Sequence, residues 1–450
     1  MLVQPVIFET FSFSGESMAC YGLEIVKNTL AKHGISCIPF APDSKNPVLV
    51  SLYWPEQIYN FIRWRYQACM KGRKVYLGGN YPTTSPSACL AFCDGVFLGD
   101  GELWNGSDDS QFFAKSGKPR SKATAQNIAC FPYEDTQFSR RAFVEIARGC
   151  RNKCLFCQYG WLKEYREADI QDIKIGISAC KTKTIRVFAA DRFQHSRYLD
   201  IRKIIEKKGK CDSGSDISIK FLLKNPEYLQ MTNKVRVGIE GISERLRKMI
   251  LKPYSNDDIV RFCMLVADAG IKCLDWYMIY GLPTERAGDE EDFFRLISSL
   301  DERLPEGYVI AIHWNAFTPS AQTPFQWATP ARGRPKYMQR IFSELRNKRI
   351  KIYHKPKFTS DWTIARRMLA IRASSIDAQL LFNFAKKESE FKKNPEALSR
   401  AWGKGDRTGL LDEWPVDIPM PWDSYCLYRK DDMKKCWDVA MKRNRNACHL

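Results

Sequence analysis

A chain of 450 residues with 44% hydrophobic side chains is long enough for two or three domains, each with its own core. Its 70 Lys and Arg against 51 Asp and Glu give a net charge of +19, which suits an anionic or nucleic-acid partner but equally describes a solvated basic surface. No apolar run approaches the length of a membrane span. The start, Met1-Leu-Val-Gln-Pro-Val, lacks the charged stretch and cleavage site of a signal peptide, so sixteen cysteines point to a reducing cytoplasm and against a disulfide framework.

Residues 1–105 alternate strand and helix. Val6-Ile-Phe8 reads as a first strand, followed by the turn-rich Ser12-Phe-Ser-Gly15. A helix then carries Leu23, Val26 and Leu30 on one face and stops at Gly34. Val48 to Trp54, Lys74 to Gly79 and Gly95 to Gly99 read as further strands, with a helix from Glu56 to Lys71. This alternation predicts a doubly wound, Rossmann-like parallel sheet. Gly78 and Gly79 end a strand, where such sheets place their ligand crevice; they serve either a tight turn or the close approach of a ligand. Residues 106–140 have turn formers and charge but no apolar period, and read as a linker. Cys130, alone in Ile128-Ala-Cys-Phe-Pro-Tyr133, reads as a buried structural thiol.

Residues 141–328 hold the densest chemistry. After an apolar run, Phe143 to Ala147, come Cys150, Cys154 and Cys157 in the order C-x-x-x-C-x-x-C. Thiolates this close suit a soft metal centre, and three rather than four leave one position of an iron–sulfur cluster open. Further strand-like runs are Ile185–Ala190, Ile217–Leu222, Val235–Ile239, Leu274–Tyr280 and Val309–Trp314, and Asp257 to Gly270 is an amphipathic helix. Six strand–helix units predict a partial (β/α)6 TIM-type barrel, whose chemistry belongs at the strand carboxyl ends. There lie the cysteine loop, Ala189-Ala-Asp191, Gly238-Ile-Glu240 and Gly281-Leu-Pro-Thr-Glu285.

Residues 329–450 are mainly helical: Met338 to Asn347, Asp361 to Phe391, and a basic helix from Lys430 to Arg445, with an aromatic stretch between Glu413 and Trp422. The Trp and Tyr side chains here either seal a core edge or stack on a base. Cys426, Cys436 and Cys448 are too far apart for a second cluster, while His449 beside Cys448 leaves a metal site open. His195 and His313 read as satisfied rim residues.

The cysteine run with Phe156 before its third cysteine, Gly238-Ile-Glu240 with Ser243 and Lys252, Gly281 to Glu285, and Phe317 to Phe325 together resemble the radical SAM superfamily. Ser51-Leu-Tyr53, Gly78-Gly-Asn80 and Phe97-Leu-Gly-Asp-Gly-Glu102 resemble the cobalamin-binding domain of its cobalamin-type members. The resemblance implies a [4Fe-4S] cluster on Cys150, Cys154 and Cys157, and S-adenosylmethionine near Phe156, Tyr159, Asp191, Glu240, Gly281 and Glu285. It also implies cobalamin near Ser51, Gly78 and Gly79, and a reductant such as flavodoxin or ferredoxin. Two features depart from the pattern. The Asp-x-His-x-x-Gly cobalt-ligand motif has no counterpart around Gly15, and Asp191 stands where a Gly-Gly-Glu is expected. Three functions remain: C-methylation or related carbon-centred radical chemistry, RNA methylthiotransferase-like chemistry, and a non-catalytic iron–sulfur sensor.

Overall fold

The computed structural model describes residues 2–7, 21–106, 112–115, 121–135, 141–252, 254–357, 359–403, 408–426, 428 and 430–445. The Ser12-to-Gly15 turn, Cys448 and His449 lie outside them.

The first domain is the expected Rossmann-like sheet. Its strands are β1 (Leu2–Ile7), β2 (Ser36–Cys37), β3 (Val48–Ser51), β4 (Val75–Gly78), β5 (Gly95–Phe97) and β6 (Phe113–Ala114), in the order β2-β1-β3-β4-β5-β6. All pairs are parallel except β5–β6. Apolar runs such as Val48-Leu-Val50 are buried on both faces because helices cover both. The order reverses between β1 and β3, which opens a crevice at the carboxyl ends of these strands. The helix Tyr21–Lys32 buries Leu23, Ile25 and Leu30, with Val26 only partly covered, and Gly34 stops it at φ 72°. Part of the predicted linker belongs to sheets: β6 closes the first domain, and β7 (Tyr133–Asp135) pairs antiparallel with the barrel.

The second sheet system is an open barrel. Its strands are β8 (Arg141–Glu145), β11 (Thr184–Phe188), β12 (Cys211–Asp212), β13 (Val235–Glu240), β14 (Cys273–Tyr280), β15 (Val309–Ala316) and β16 (Lys351–Lys357). They run parallel in chain order, with one bridge, Asp216 to Arg236, joining the two halves. Beside β8 a short hairpin, β9 (Ala147–Arg148) and β10 (Arg166–Glu167), encloses the cysteine loop.

Two expectations are corrected. Ile217–Leu222 is not a strand: Ser218 caps a helix over Ile219–Lys224, accepting from the Phe221 N–H, and Ile219 and Leu222 are buried one helical turn apart. The third strand is instead the two-residue β12. The barrel also continues past residue 328, because β16 adds to β15 along seven residue pairs.

The C-terminal helices pack on both sheet systems, and one core spans all three regions. Tyr59 and Tyr81 of the first domain donate their hydroxyls to the carbonyls of Arg366 and Ala370, at 2.7 and 2.6 Å. Trp402 and Trp422 are fully buried, so these aromatics seal a core.

Candidate functional site

Cys150 and Cys154 are buried and Cys157 half-buried on the loop that tops β8. The loop is held from three sides. Gln194 donates its Nε2 to Cys150 Sγ at 3.4 Å and, at 3.2 Å, to Asp191, which caps the short turn Arg192–Gln194. Trp161 donates to the Cys154 carbonyl at 3.0 Å. The Leu155 N–H reaches the Ile250 carbonyl at 3.2 Å. Asp191 therefore braces Cys150 through Gln194.

Burial pushes the thiols up, Cys154 to about 12 and Cys157 to about 11, with Cys150 also raised. Repulsion within the trio adds to the burial effect at Cys154 and Cys157. Lys252 is the opposing cation at both. Its ammonium sits 2.8 Å from Glu240 Oε1, so Glu240, Lys252 and the thiols form one electrostatic unit.

The strand that delivers Glu240 is distorted to do so. β13 has a register shift between Gly238 and Glu240, and Glu240 lies at φ 69°. A Cβ on Gly238 would fall 2.2 Å from Glu240 Oε1 and 2.7 Å from Lys252 Nζ, so this glycine makes room for the pair. Among the described residues, four non-glycines have positive φ: Glu240, Leu251, Thr284 and Gln322. All lie on segments at the carboxyl rim of the barrel. Strain gathered in this way marks a site that the surrounding structure holds in place.

Below the loop a cavity of 490 Å³ opens into the barrel, lined among others by Phe156, Gly238, Glu240, Lys252, Tyr277 and Asn315. Its volume suits a small organic ligand. Arg367, from the helix Asp361–Arg372, also reaches its wall while pairing with Glu56 at 2.5 Å, so the first domain, the barrel and the C-terminal segment meet there.

Two predicted residues serve the rim without lining that cavity. Gly281 has φ 73° and donates its N–H to Glu285 Oε1 at 3.1 Å, and Tyr337 donates its hydroxyl to the same oxygen. Burial raises the Glu285 carboxyl to about 7. This carboxyl braces its own turn.

The crevice of the first domain faces the cysteine loop. Tyr53, just past β3, is hydrogen-bonded to half-exposed Tyr159, and Asn80 donates to Gln158 at 3.4 Å. Ser51 and Gly78 end adjacent strands at this crevice. A Cβ on Gly79, at φ 103°, would lie 2.6 Å from the Leu52 carbonyl, so the tight turn accounts for that glycine. Behind the loop the domains are joined by ion pairs. Asp100 meets Lys163 at 2.5 Å, Arg166 at 2.9 Å and Arg148 at 3.0 Å; Arg148 also meets Glu102 at 2.7 Å and Glu145 at 2.6 Å.

Sequence reasoning missed Arg367 and the polar interior of the barrel. His313 is not a rim residue. It lies inside the barrel, stacked on Tyr277, with Nε2 2.8 Å from Asp275 Oδ1. The period-two exposure of β13, β14 and β15 carries that signal. His195 does fit the structural reading, with both ring nitrogens bonded to backbone groups.

Among the described residues, no three His, Cys, Asp or Glu are gathered as tightly as a single metal ion requires. What the loop offers is three thiols and no fourth, beside a strained carboxylate and a ligand-sized cavity. That donor set fits a cluster with one open position next to a small polar cofactor.

Comparison with known proteins agrees. Residues 144–297 match the Radical SAM superfamily. An uncharacterized protein of Methanocaldococcus jannaschii is 22% identical over 198 residues, 43% of this chain and 44% of its own length. The match thus spans less than half of that relative. Among solved structures, the radical S-adenosylmethionine methyltransferase TsrM of Kitasatospora setae, with cobalamin and a [4Fe-4S] cluster bound, aligns with a TM-score of 0.52. It is 14% identical over 72% of this chain and 76% of its own. The cobalamin-dependent S-adenosylmethionine radical enzyme OxsB, with aqua-cobalamin and S-adenosylmethionine bound, aligns with a TM-score of 0.51. It is 13% identical over 99% of this chain and 80% of its own. At such identities the likeness is one of fold. Residues 144–297, which carry the cysteine loop, Glu240 and the Gly281–Glu285 turn, thus match the radical SAM superfamily, and they follow a Rossmann-like domain in a fold shared with these two enzymes.

Proposed function

We propose that this protein is a radical SAM enzyme that modifies its substrate by C-methylation or related carbon-centred chemistry. The observation that carries the reading is the convergence of three parts on one place: the cysteine loop, the Glu240–Lys252 pair at the cavity, and the crevice of the first domain, which touches the loop through Tyr53–Tyr159 and Asn80–Gln158.

In this reading Cys150, Cys154 and Cys157 hold a [4Fe-4S] cluster, and the cavity takes S-adenosylmethionine. When bound, these groups supply one-electron reductive cleavage of the sulfonium, with the electron drawn from a donor such as flavodoxin or ferredoxin. The protein does the rest by position. Lys252 fixes Glu240 to receive a polar group of the cofactor, and Phe156 gives the cavity an apolar wall beside the loop. Gln194 and Asp191 orient Cys150, while Glu285 and Tyr337 hold the Gly281 turn. The basic composition also supports a methylthiotransferase-like reaction on RNA as a second reading.

The test is anaerobic reconstitution, reduction with S-adenosylmethionine, and product analysis with and without cobalamin. Formation of 5′-deoxyadenosine is expected. Its absence from a protein with a full complement of iron and sulfide would sink the proposal. Cobalamin retained through purification, together with S-adenosylhomocysteine, would select methyl transfer. Cys154→Ala should lose the cluster's iron while its circular dichroism stays that of the parent; unchanged iron content would contradict the ligand assignment.

A further inference from the structure

The cofactor reading uses one side of the 490 Å³ cavity, that of Phe156, Glu240 and Lys252, and gives no role to the side formed by Asn315, Thr318 and Arg367. Asn315 lies on β15, two strands from the strand of Glu240, which sets the two roughly 10 Å apart. It stands in register with Lys357, the last residue of β16. From there the chain runs into the helix Asp361–Arg372, which carries Arg367. Neighbouring parts of the chain thus bring both residues to one wall.

Charge is balanced along the cavity. Lys252 has Glu240 at 2.8 Å, Arg236 has Asp275 at 3.8 Å, and Arg367 has Glu56 at 2.5 Å. Hydrogen bonding is not balanced. Glu56 accepts only from Nε of Arg367, which fixes the guanidinium and leaves both Nη groups without a protein partner among the described residues. A third of that side chain remains exposed. The Asn315 amide and the Thr318 hydroxyl, on half-buried residues of the same wall, have no hydrogen-bond partner among the described residues either. Polar groups withdrawn from bulk water usually have a partner, and three of them on one wall mark where a ligand supplies it.

A carboxylate supplies it best. Its two oxygens match the open edge of a guanidinium, and an amide and a hydroxyl can donate to the lone pairs that remain. A phosphate dianion fits less well, because it would also face the carboxylates of Glu56, Glu240 and Asp216. With S-adenosylmethionine on the Glu240 side, as proposed above, we infer that the substrate is a small carboxylic acid whose carboxylate is held by Arg367, Asn315 and Thr318. Glu56 is then a positioning residue, through which the first domain aims a guanidinium of the C-terminal segment into the barrel.

The experiment is ligand-observed NMR on the unreduced full-length protein, with and without saturating S-adenosylmethionine. The probes are benzoate, benzamide and phenylphosphonate, which share one ring and differ in the group presented. Benzoate should bind roughly tenfold more tightly than benzamide, the difference expected for hydrogen bonds to a charged group, and more tightly than phenylphosphonate. Arg367→Gln should remove the preference, Arg367→Lys should restore only part of it, and Asn315→Asp should weaken benzoate several-fold by repulsion. Equal binding of benzoate and benzamide, tighter binding of phenylphosphonate, or a preference that survives Arg367→Gln overturns the inference. Displacement of benzoate by S-adenosylmethionine does so too, since the wall would then serve the cofactor's own carboxylate. If Arg367→Gln does not fold, unchanged benzoate binding by Asn315→Asp overturns it alone. Probe binding is read without reduction, and 5′-deoxyadenosine formation by the parent is read without probe, so either reading can fail while the other stands.

Discussion

Around Asp100 three carboxylates meet three cations; a recess of 600 Å³ at the amino end of the barrel is lined by basic side chains, of which Arg186 pairs with Asp216 at 3.1 Å and Arg202 with Asp212 at 2.8 Å. The first group is buried between two domains and joins them. Asp100 has no exposed side-chain surface, and every charge in the group has an opposite neighbour within 3.0 Å. The second lines an open recess, where Asp216 stays largely exposed beside Arg186 and Asp212 is shared between Arg192 and Arg202. Buried pairs are costly to break, whereas exposed charges are screened by water and contribute little. The two groups should therefore respond to charge removal with very different magnitudes.

The largest effect is expected at Asp100. Asp100→Asn keeps the shape but leaves Arg148, Lys163 and Arg166 without their shared partner. Breaking a buried pair in this way costs about 3–5 kcal/mol, to be read from urea unfolding. A loss under about 1 kcal/mol would mean that the network behaves as a surface one. The same residue sets an acid dependence. Burial disfavours its charge, but Lys163 and Arg148 outweigh that and hold the carboxyl well below the usual range. A depressed carboxyl stabilises fully above its unfolded value, about 4, and the contribution is lost as pH falls below that. The parent should lose stability in acid more steeply than Asp100→Asn; parallel curves would refute the assignment.

Glu285 sharpens the contrast, being a half-buried carboxyl with no cation bonded to it. Its partners are the Gly281 N–H and the Tyr337 hydroxyl, and burial raises it to about 7. The sign reverses: the stabilising neutral form is complete below about pH 4.3 and is lost as pH rises through 7. Denaturation midpoints should fall between weakly acidic and weakly alkaline pH by an amount worth about 1 kcal/mol, and Glu285→Gln should flatten that slope. An unchanged slope in the variant would remove Glu285 as its source.

The same contrast explains what could be read from the sequence. The cysteine loop, Gly238 to Glu240 and Gly281 to Glu285 were legible because each motif is local and each follows a strand of β-branched and aromatic residues. The Asp100–Arg148 pair was not, since its members lie 48 positions apart and meet only after two domains have packed. Ile217-Ser-Ile-Lys-Phe-Leu222 begins with the alternation of a strand, but the Ser218 cap and the spacing of Ile219 and Leu222 are those of a helix. The true third strand, Cys211–Asp212, is too short and polar to carry a period. β16, Lys351-Ile-Tyr-His-Lys-Pro-Lys357, is an edge strand with Lys and Pro, the composition that keeps sheet edges from pairing further and that also conceals them. Of the predicted cofactor residues, Phe156 and Glu240 line the cavity. Asp191 and Glu285 brace the loops beside it, a difference that motif position alone does not encode.

The smallest expected effect has the opposite sign to the first. Lys234 is exposed at the mouth of that recess, where its charge adds to a basic wall. Lys234→Gln should therefore leave the protein as stable or more stable, by roughly 0.2–0.5 kcal/mol at low salt. Added salt should erase the gain, because a screened repulsion is no longer there to be relieved. A variant destabilised in phosphate-free buffer would show that Lys234 already has its counter-charge within the fold, and the two clusters would then belong to one class.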